Sequence, residues 1–150
     1  MVDDPRKPEV RAILERHLTF CLTETPPEHS FALDVDGLLD PAVTFISYRD
    51  GDILLGVAAI KELDPEHAEI KSMHTAAEAR GLGVGRALVD HLVATAAGRG
   101  YHRVSLETGT MEAFAPARAL YANVGFEPCG PFGDYAESPD NTFMTLELKQ

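Results

Sequence analysis

The chain has 150 residues, 45% of them hydrophobic and 25% charged, which is the size and make-up of one compact globular domain and not of a disordered or fibrous segment. Its formal net charge of −11 argues against nucleic acid, whose phosphate backbone asks for a basic face, and no apolar run approaches the roughly 20 residues of a membrane span. The opening Met1-Val2-Asp3-Asp4-Pro5 lacks the basic head and apolar stretch of a secretion signal, so the expected location is the cytoplasm.

In chain order, Val10, Ile13, Leu14, Leu18 and Leu22 recur at helical spacing from about Lys7 to Thr23, which predicts an amphipathic opening helix stopped by Pro26-Pro27. Cys21 lies within it, too far from Cys129 for the pair to suggest a disulfide framework or a metal site. Residues 25–30 read as a loop, and Phe31 to Leu39 as a brief helix or an irregular arm. Val43 to Tyr48 is β-branched and aromatic, and Asp50-Gly51-Asp52 is a hairpin signal. Ile53 to Ile60 predicts an interior strand with Gly56 as a bulge or a point of close approach. Asp64-Pro65 turns the chain into a third strand, Ala68 to Thr75, completing an antiparallel meander.

The pattern then changes. After Gly85, Leu88, Val89, Leu92, Val93 and Ala96 share one face of a helix that ends near Gly98 and Gly100. Val104 to Thr108 predicts a strand, Pro116 to Asn123 a helix, and Gly125 to Cys129 another strand. A Gly/Pro-rich loop from Gly130 to Asn141 leads to a last strand, Thr142 to Leu148, in which Met144, Leu146 and Leu148 alternate with Phe143, Thr145 and Glu147. The whole reads as a single α+β domain spanning residues 1–150.

Between the third strand and the long helix lies Arg80-Gly81-Leu82-Gly83-Val84-Gly85. Glycines at alternate positions let the backbone turn sharply and approach a ligand, and the helix that follows adds free N–H donors and the positive end of its dipole. Arg80 and Arg86 bracket the turn with positive charge, so a phosphate or pyrophosphate suits it. A P-loop is excluded because no Gly-Lys-Ser/Thr is present, and the dinucleotide fingerprint would need glycine at Arg86 or Leu88. The plain structural reading is a glycine-rich helix entry with surface arginines.

Arg80-x-x-Gly83-x-Gly85 resembles the Arg/Gln-x-x-Gly-x-Gly/Ala signature of the GNAT N-acetyltransferase superfamily. The resemblance extends over about Ile53 to Phe126 and includes Ala119-Leu120-Tyr121-x-x-x-Gly125-Phe126, which matches that family's Leu-Tyr…Gly-Phe segment. The strings Lys61 to Asp64, Glu69 to Met73, Ser105 to Gly109 and Pro131-Phe132-x-x-Tyr135 are similar to a bacterial branch whose acceptors are mostly unassigned. One departure is Phe114, seven residues before Tyr121, where many members carry an Asn that helps hold the pantetheine arm.

The resemblance implies a mixed, mainly antiparallel central sheet with a splayed strand pair, flanked by helices, and acetyl-CoA as co-substrate without a metal. It places the pantetheine arm between the strand ending at Thr75 and the strand from Val104 to Thr108, beside a bulge expected at Met73 to Thr75. Met73, His74 and Thr75, with Arg80, Gly81, Leu82, Gly83, Val84, Gly85 and Arg86, are the implied cofactor-binding residues. Tyr121 is the implied general acid for the departing thiolate, and Glu69 the first candidate base, with Glu107, His74 or water as alternatives.

Plain alternation would put Glu69, Lys71, Met73 and Thr75 on one face and His74 on the other, unless the bulge resets it. The competing structural reading pairs Glu69 with Lys71 on a solvated face and makes Tyr121 a core aromatic. The acceptor site is expected from the opening helix, the 26–39 arm and the 130–141 loop, with Glu107, His29, Phe132 and Tyr135 as candidate lining. The implied activity is acetyl transfer to a small-molecule or protein amine, with a homodimer as a possible assembly. The alternative is an acyl-CoA-binding sensor or interaction module without useful catalysis. The purely structural reading of the glycine turn is the third.

Overall fold

A computed structural model describes residues 2–24, 35–76, 81–110, 112–132, 135 and 139–148. Helix α1 (Pro8–Glu24) and the single turn α2 (Val35–Leu38) precede the meander β1 (Val43–Asp50), β2 (Ile53–Asp64) and β3 (His67–Thr75). Then come α3 (Val84–Gly98), β4 (Arg103–Gly109), a 3-10 turn (Glu112–Phe114), α4 (Ala115–Val124), β5 (Glu127–Cys129) and β6 (Asn141–Glu147). The strands form one six-stranded sheet in the order β1-β2-β3-β4-β6-β5. Every neighbouring pair is antiparallel except β3 with β4. This is the expected mixed sheet, and the expected strand order of the meander holds.

The middle of β2 explains why helices cover both faces. Val57, Ala58, Ala59 and Ile60 are all buried although their side chains alternate, so each face needs a cover. On one face α3 supplies it through Leu88, Val89, Leu92 and Ala96. Gly56 is the contact point: a Cβ there would stand 2.8 Å from Val84 Cγ1 and 3.0 Å from Leu88 Cδ1. Gly56 also adjoins a bulge, because Tyr48 pairs with Gly56 while Arg49 pairs with Leu54, leaving Leu55 extra. Both expectations for this glycine therefore apply. The opposite face is covered by α1, whose Val10, Ile13 and Leu14 are buried.

The N-terminal segment is tied down in a way the sequence did not suggest. Val2 bridges to Ile46, and the Asp3 N–H donates to Phe45 O at 3.0 Å. The Asp3 carboxylate accepts from the Ser47 hydroxyl and pairs with Arg49 at 2.9 Å and Lys7 at 2.8 Å. Burial alone would raise this carboxyl, but those donors outweigh it and hold the group well below the usual carboxylate range.

Helix ends follow local rules. Gly100 at φ 84° closes α3, with Tyr101 N–H reaching back to Ala96 O at 3.1 Å. Gly125 at φ 119° closes α4 in the same way, with Phe126 N–H on Tyr121 O at 3.0 Å and Gly125 N–H on Ala122 O at 3.1 Å. The Phe126 and Tyr121 rings then pack at 5.9 Å. The Tyr-x-x-x-Gly-Phe spacing is thus a helix stop with its own apolar clasp.

Candidate active site

The two central strands are paired over only four residue pairs, from His67↔Arg103 to Ile70↔Leu106. Beyond Ile70 and Leu106 the ladder stops although β3 runs on to Thr75 and β4 to Gly109. This is the expected splay. A bulge lies on β3 beside it: Val57 pairs with His74 but Ala59 with Lys71, so Ser72 and Met73 together oppose Ala58. The bulge therefore begins one residue before the expected Met73 to Thr75.

That extra residue corrects the alternation expected from the sequence. Glu69, Lys71 and His74 lie opposite Lys61, Ala59 and Val57 and so share one face. Thr75 lies opposite Gly56 on the other face, consistent with its hydroxyl standing 3.6 Å from where a Gly85 Cβ would be. His74 thus joins the face of Glu69, and Thr75 leaves it.

The face of Glu69 carries a compact polar cluster. Glu69 Oε2 accepts from Tyr135 Oη at 2.5 Å and from Lys71 Nζ at 3.2 Å, and Lys71 Nζ also donates to Tyr135 Oη at 2.8 Å. Glu69 does pair with Lys71, yet the face is not solvated, since Glu69 is 3% exposed. Burial, then the Glu69 charge, pushes the Tyr135 phenol far up, so it remains a donor. Oε1 of Glu69 makes no hydrogen bond among the described residues. On β4, Glu107 Oε2 accepts from Asn141 Nδ2 at 2.7 Å, and burial raises the Glu107 carboxyl above its ordinary value. Phe132 packs at 5.2 Å on Tyr135 and at 5.5 Å on His67, and Phe143 touches both Phe132 and Tyr135. Phe132, Tyr135 and Glu107 are thereby brought to the face of Glu69, while His29 lies outside the described residues.

Tyr121 is buried on α4, beside Leu120, whose Cδ2 would be 3.0 Å from a Cβ at Gly85. Burial, and then the Glu107 charge, raises the phenol well above its ordinary value, so it is protonated across the working range of pH. No hydrogen bond holds its hydroxyl among the described residues. Phe114, the departure from the family pattern, is buried over Gly109, where a Cβ would come within 2.4 Å of its ring, and its edge meets Phe20 of α1 at 5.0 Å.

At the start of α3, Gly81 and Gly83 take φ 82° and 80°, which side-chain-bearing residues rarely adopt. Ala87 N–H makes the first return bond, to Gly83 O at 3.0 Å, so the N–H groups of Val84, Gly85 and Arg86 lack intrahelical partners. Gly83 offers no side-chain cap to them, and Leu82 is exposed at the turn. Arg86 pairs with Asp90 through Nε at 3.1 Å, so its charge is partly balanced within the helix. Arg80 lies outside the described residues. A helix start of this kind fits an anionic phosphate group.

Sequence reasoning missed the side chains that α1 contributes. His17 Nδ1 lies 3.2 Å from His74 Nδ1, and His17 Nε2 3.7 Å from Cys21 Sγ. The spacing of His17 and Cys21, four apart on the helix face that bears Ile13 and Leu14, was a visible signal. Burial, reinforced by His74, pushes His17 down to about 4; burial, reinforced by Glu107, pushes Cys21 up to about 11. His17 therefore stays neutral when folded, and its contribution to stability is complete above pH 6.5, its ordinary value. Between there and about 4 the unfolded chain binds a proton that the folded chain does not, so stability falls as pH falls. Between pH 7 and pH 4.5 the expected loss from this one group is on the order of 2 kcal/mol, at about 1.36 kcal/mol for each pH unit below 6.5 in which only the unfolded chain is protonated. Urea unfolding at pH 7 and pH 4.5 measures it, and His17→Gln should flatten the difference; an equally steep difference in the variant would assign it elsewhere.

Among the described residues no group of three or more His, Cys, Asp or Glu is placed to hold a metal ion, and no helix is long and apolar enough to cross a membrane. The sequence model of the acetyltransferase (GNAT) family matches residues 9–126. The chain is 44% identical to the "uncharacterized N-acetyltransferase YsnE" of Bacillus subtilis (strain 168), with 98% of this chain and 97% of that protein covered. It is 42% identical to the "uncharacterized N-acetyltransferase YedL" of Escherichia coli (strain K12), covering 97% and 92%. A putative acyl-CoA N-acyltransferase from Klebsiella pneumoniae has the same fold with a TM-score of 0.84 at 25% identity, covering 99% of this chain and 96% of that one. The chain belongs to the acetyltransferase (GNAT) family, and it is an acetyl-CoA-dependent N-acyltransferase.

Proposed function

We propose that this protein moves the acetyl group of acetyl-CoA to a primary amine of a small molecule, by direct attack in a ternary complex, with residues 1–150 acting as one domain. The observation that carries the reading is a set of three features on β3 and on its neighbours α3 and β4. They are the open helix start at Val84 to Arg86, the β3–β4 gap beyond Ile70 and Leu106, and the bulge at Ser72 and Met73. A pyrophosphate on the first and an extended pantetheine arm in the second would bring a thioester beside the third.

The chain's groups then divide the work. The helix start, with Gly81 to Arg86 and Arg80, holds the pyrophosphate. Met73, His74 and Thr75 offer backbone to the arm, and a bulge N–H meets the developing charge on the carbonyl oxygen. Glu69, with Oε2 tied to Lys71 and Tyr135, presents Oε1 to take the amine's proton as the C–N bond forms. Tyr121 gives its hydroxyl proton to the thiolate as the C–S bond breaks. The face bearing Glu69, Glu107, Phe132 and Tyr135 receives the acceptor, for which an amine is electrostatically suited by the two carboxylates against one Lys71.

Release of CoA thiol from acetyl-CoA, measured against a panel of small primary amines, a lysine peptide and no acceptor, tests this. Acceptor-dependent release with a small amine is the expected result. Release with the peptide alone would overturn the acceptor class, and none with any acceptor would favour a binding module.

A further inference from the structure

Ser72 carries two unfavourable features at once. It is the one non-glycine residue among the described residues with positive φ, at 56°, where a side chain is strained and glycine is the natural occupant. The residue is also 7% exposed, and its buried Oγ has no hydrogen-bond partner among the described residues. A buried hydroxyl without a partner loses its hydration and gains nothing in return. Glycine at this position would remove both penalties, and alanine would remove the second. Neither penalty is required by the bulge itself, since the extra residue opposite Ala58 needs only a backbone that accepts the left-handed region.

The position is informative. Ser72 sits two residues beyond Ile70, the last residue of β3 that pairs with β4, and so stands where the gap between the strands opens. It is bracketed by Lys71 and Met73, one in the polar cluster with Glu69 and Tyr135, the other packed against the core. A strained, unsatisfied donor at the place where a ligand is read to enter is a group held ready for that ligand.

We infer that the Ser72 hydroxyl donates a hydrogen bond to a carbonyl oxygen of the bound acyl-pantetheine arm, making Ser72 a contact residue for the co-substrate in addition to the bulge backbone. The inference rests on the proposed course of acetyl-CoA through the β3–β4 gap. Two carbonyl types on that arm share the chemistry: the thioester carbonyl, whose oxygen gains charge during transfer, and the pantetheine amides, whose charge does not change.

Ser72→Ala and Ser72→Gly, compared with the unchanged protein, test the inference through three readouts: thermal midpoint without ligand, dissociation constant for CoA, and kcat for acetyl transfer. Both variants should unfold no lower than the unchanged protein, because a buried unpaired hydroxyl is lost, and Ser72→Gly also relieves the positive φ. If the hydroxyl serves the thioester, kcat falls by about tenfold to a hundredfold with CoA affinity unchanged, as for loss of a donor to developing charge. If it serves an amide, CoA binds about tenfold more weakly, with kcat at saturation preserved. Either pattern, joined to an unchanged or raised midpoint, supports the inference. Wild-type affinity and kcat in both variants would overturn it. A lowered midpoint in Ser72→Ala would overturn it in favour of a structural role. Should the unchanged protein itself gain no stability from CoA, the course of the arm fails and this inference with it, a result distinct from unaltered variants of a CoA-binding protein.

Discussion

Replacing Tyr121 by Phe is expected to lower kcat by about 10²-fold or more, the usual scale for losing a positioned general acid, with the affinity for acetyl-CoA little changed. The packing around Tyr121 makes this a clean substitution. The ring of Tyr121 meets Phe126 and lies in the buried set of α4, and Phe keeps that ring. The hydroxyl has no hydrogen-bond partner among the described residues, so its removal leaves no orphaned group behind and the fold should keep its stability. Its value lies in its protonation state. Burial and the Glu107 charge hold the proton on the phenol, and a thiolate leaving group then meets a filled donor. Steady-state kinetics with thermal unfolding on the same samples provide the test. Equal kcat in Tyr121→Phe would sink the role and leave Tyr121 as a core aromatic, whereas a fall in kcat with an unchanged midpoint would support it.

The sequence made the framework legible because its signals there are local. The glycine turn, the Tyr-x-x-x-Gly-Phe stop of α4 and the period of α3 each depend on a few adjacent residues, and the structure places each where the spacing indicates. The splay of β3 from β4 came only with the family resemblance, since nothing in the composition of either strand says where pairing ends. The faces of β3 were legible only in part. A strand's alternation is a rule about parity, and one bulge residue at Ser72 inverts it for everything beyond, so His74 and Thr75 exchanged faces.

Contacts over long sequence separations were not legible at all. Lys71 meets Tyr135 across 64 residues and Glu107 meets Asn141 across 34, and neither pair has a spacing that periodicity could reveal. The same holds for Asp3 with Ser47 and Arg49, which meet across more than 40 residues with no spacing that links them. Chemistry-bearing residues on β3 could be named from the sequence, but their electrostatic company could not.

That company frames the second large effect, the loss of the base. Glu69→Gln should lower kcat/KM by about 10²-fold, because the amide cannot accept the amine's proton. The difficulty is that the change also removes the charge of a buried partner of Lys71, whose Nζ lies 3.2 Å from Glu69 Oε2. Lys71→Met separates the two effects. It breaks the same ion pair, retains the carboxylate and the Tyr135 hydrogen bond at 2.5 Å, and should preserve most of the turnover if Glu69 acts through Oε1. Glu107→Gln supplies the competing case. Its carboxyl is raised by burial, so a base at Glu107 would place the acid limb of the kcat/KM profile above the ordinary carboxylate value of 4.5. The proposal expects turnover to fall in Glu69→Gln and to be largely kept in Glu107→Gln. Turnover within about threefold of wild type in Glu69→Gln, against the 10²-fold expected of a lost base, would remove Glu69 from the mechanism. Loss of the limb in Glu107→Gln would put Glu107 in its place, with Asn141 then orienting the base in the way that Lys71 and Tyr135 are proposed to orient Glu69.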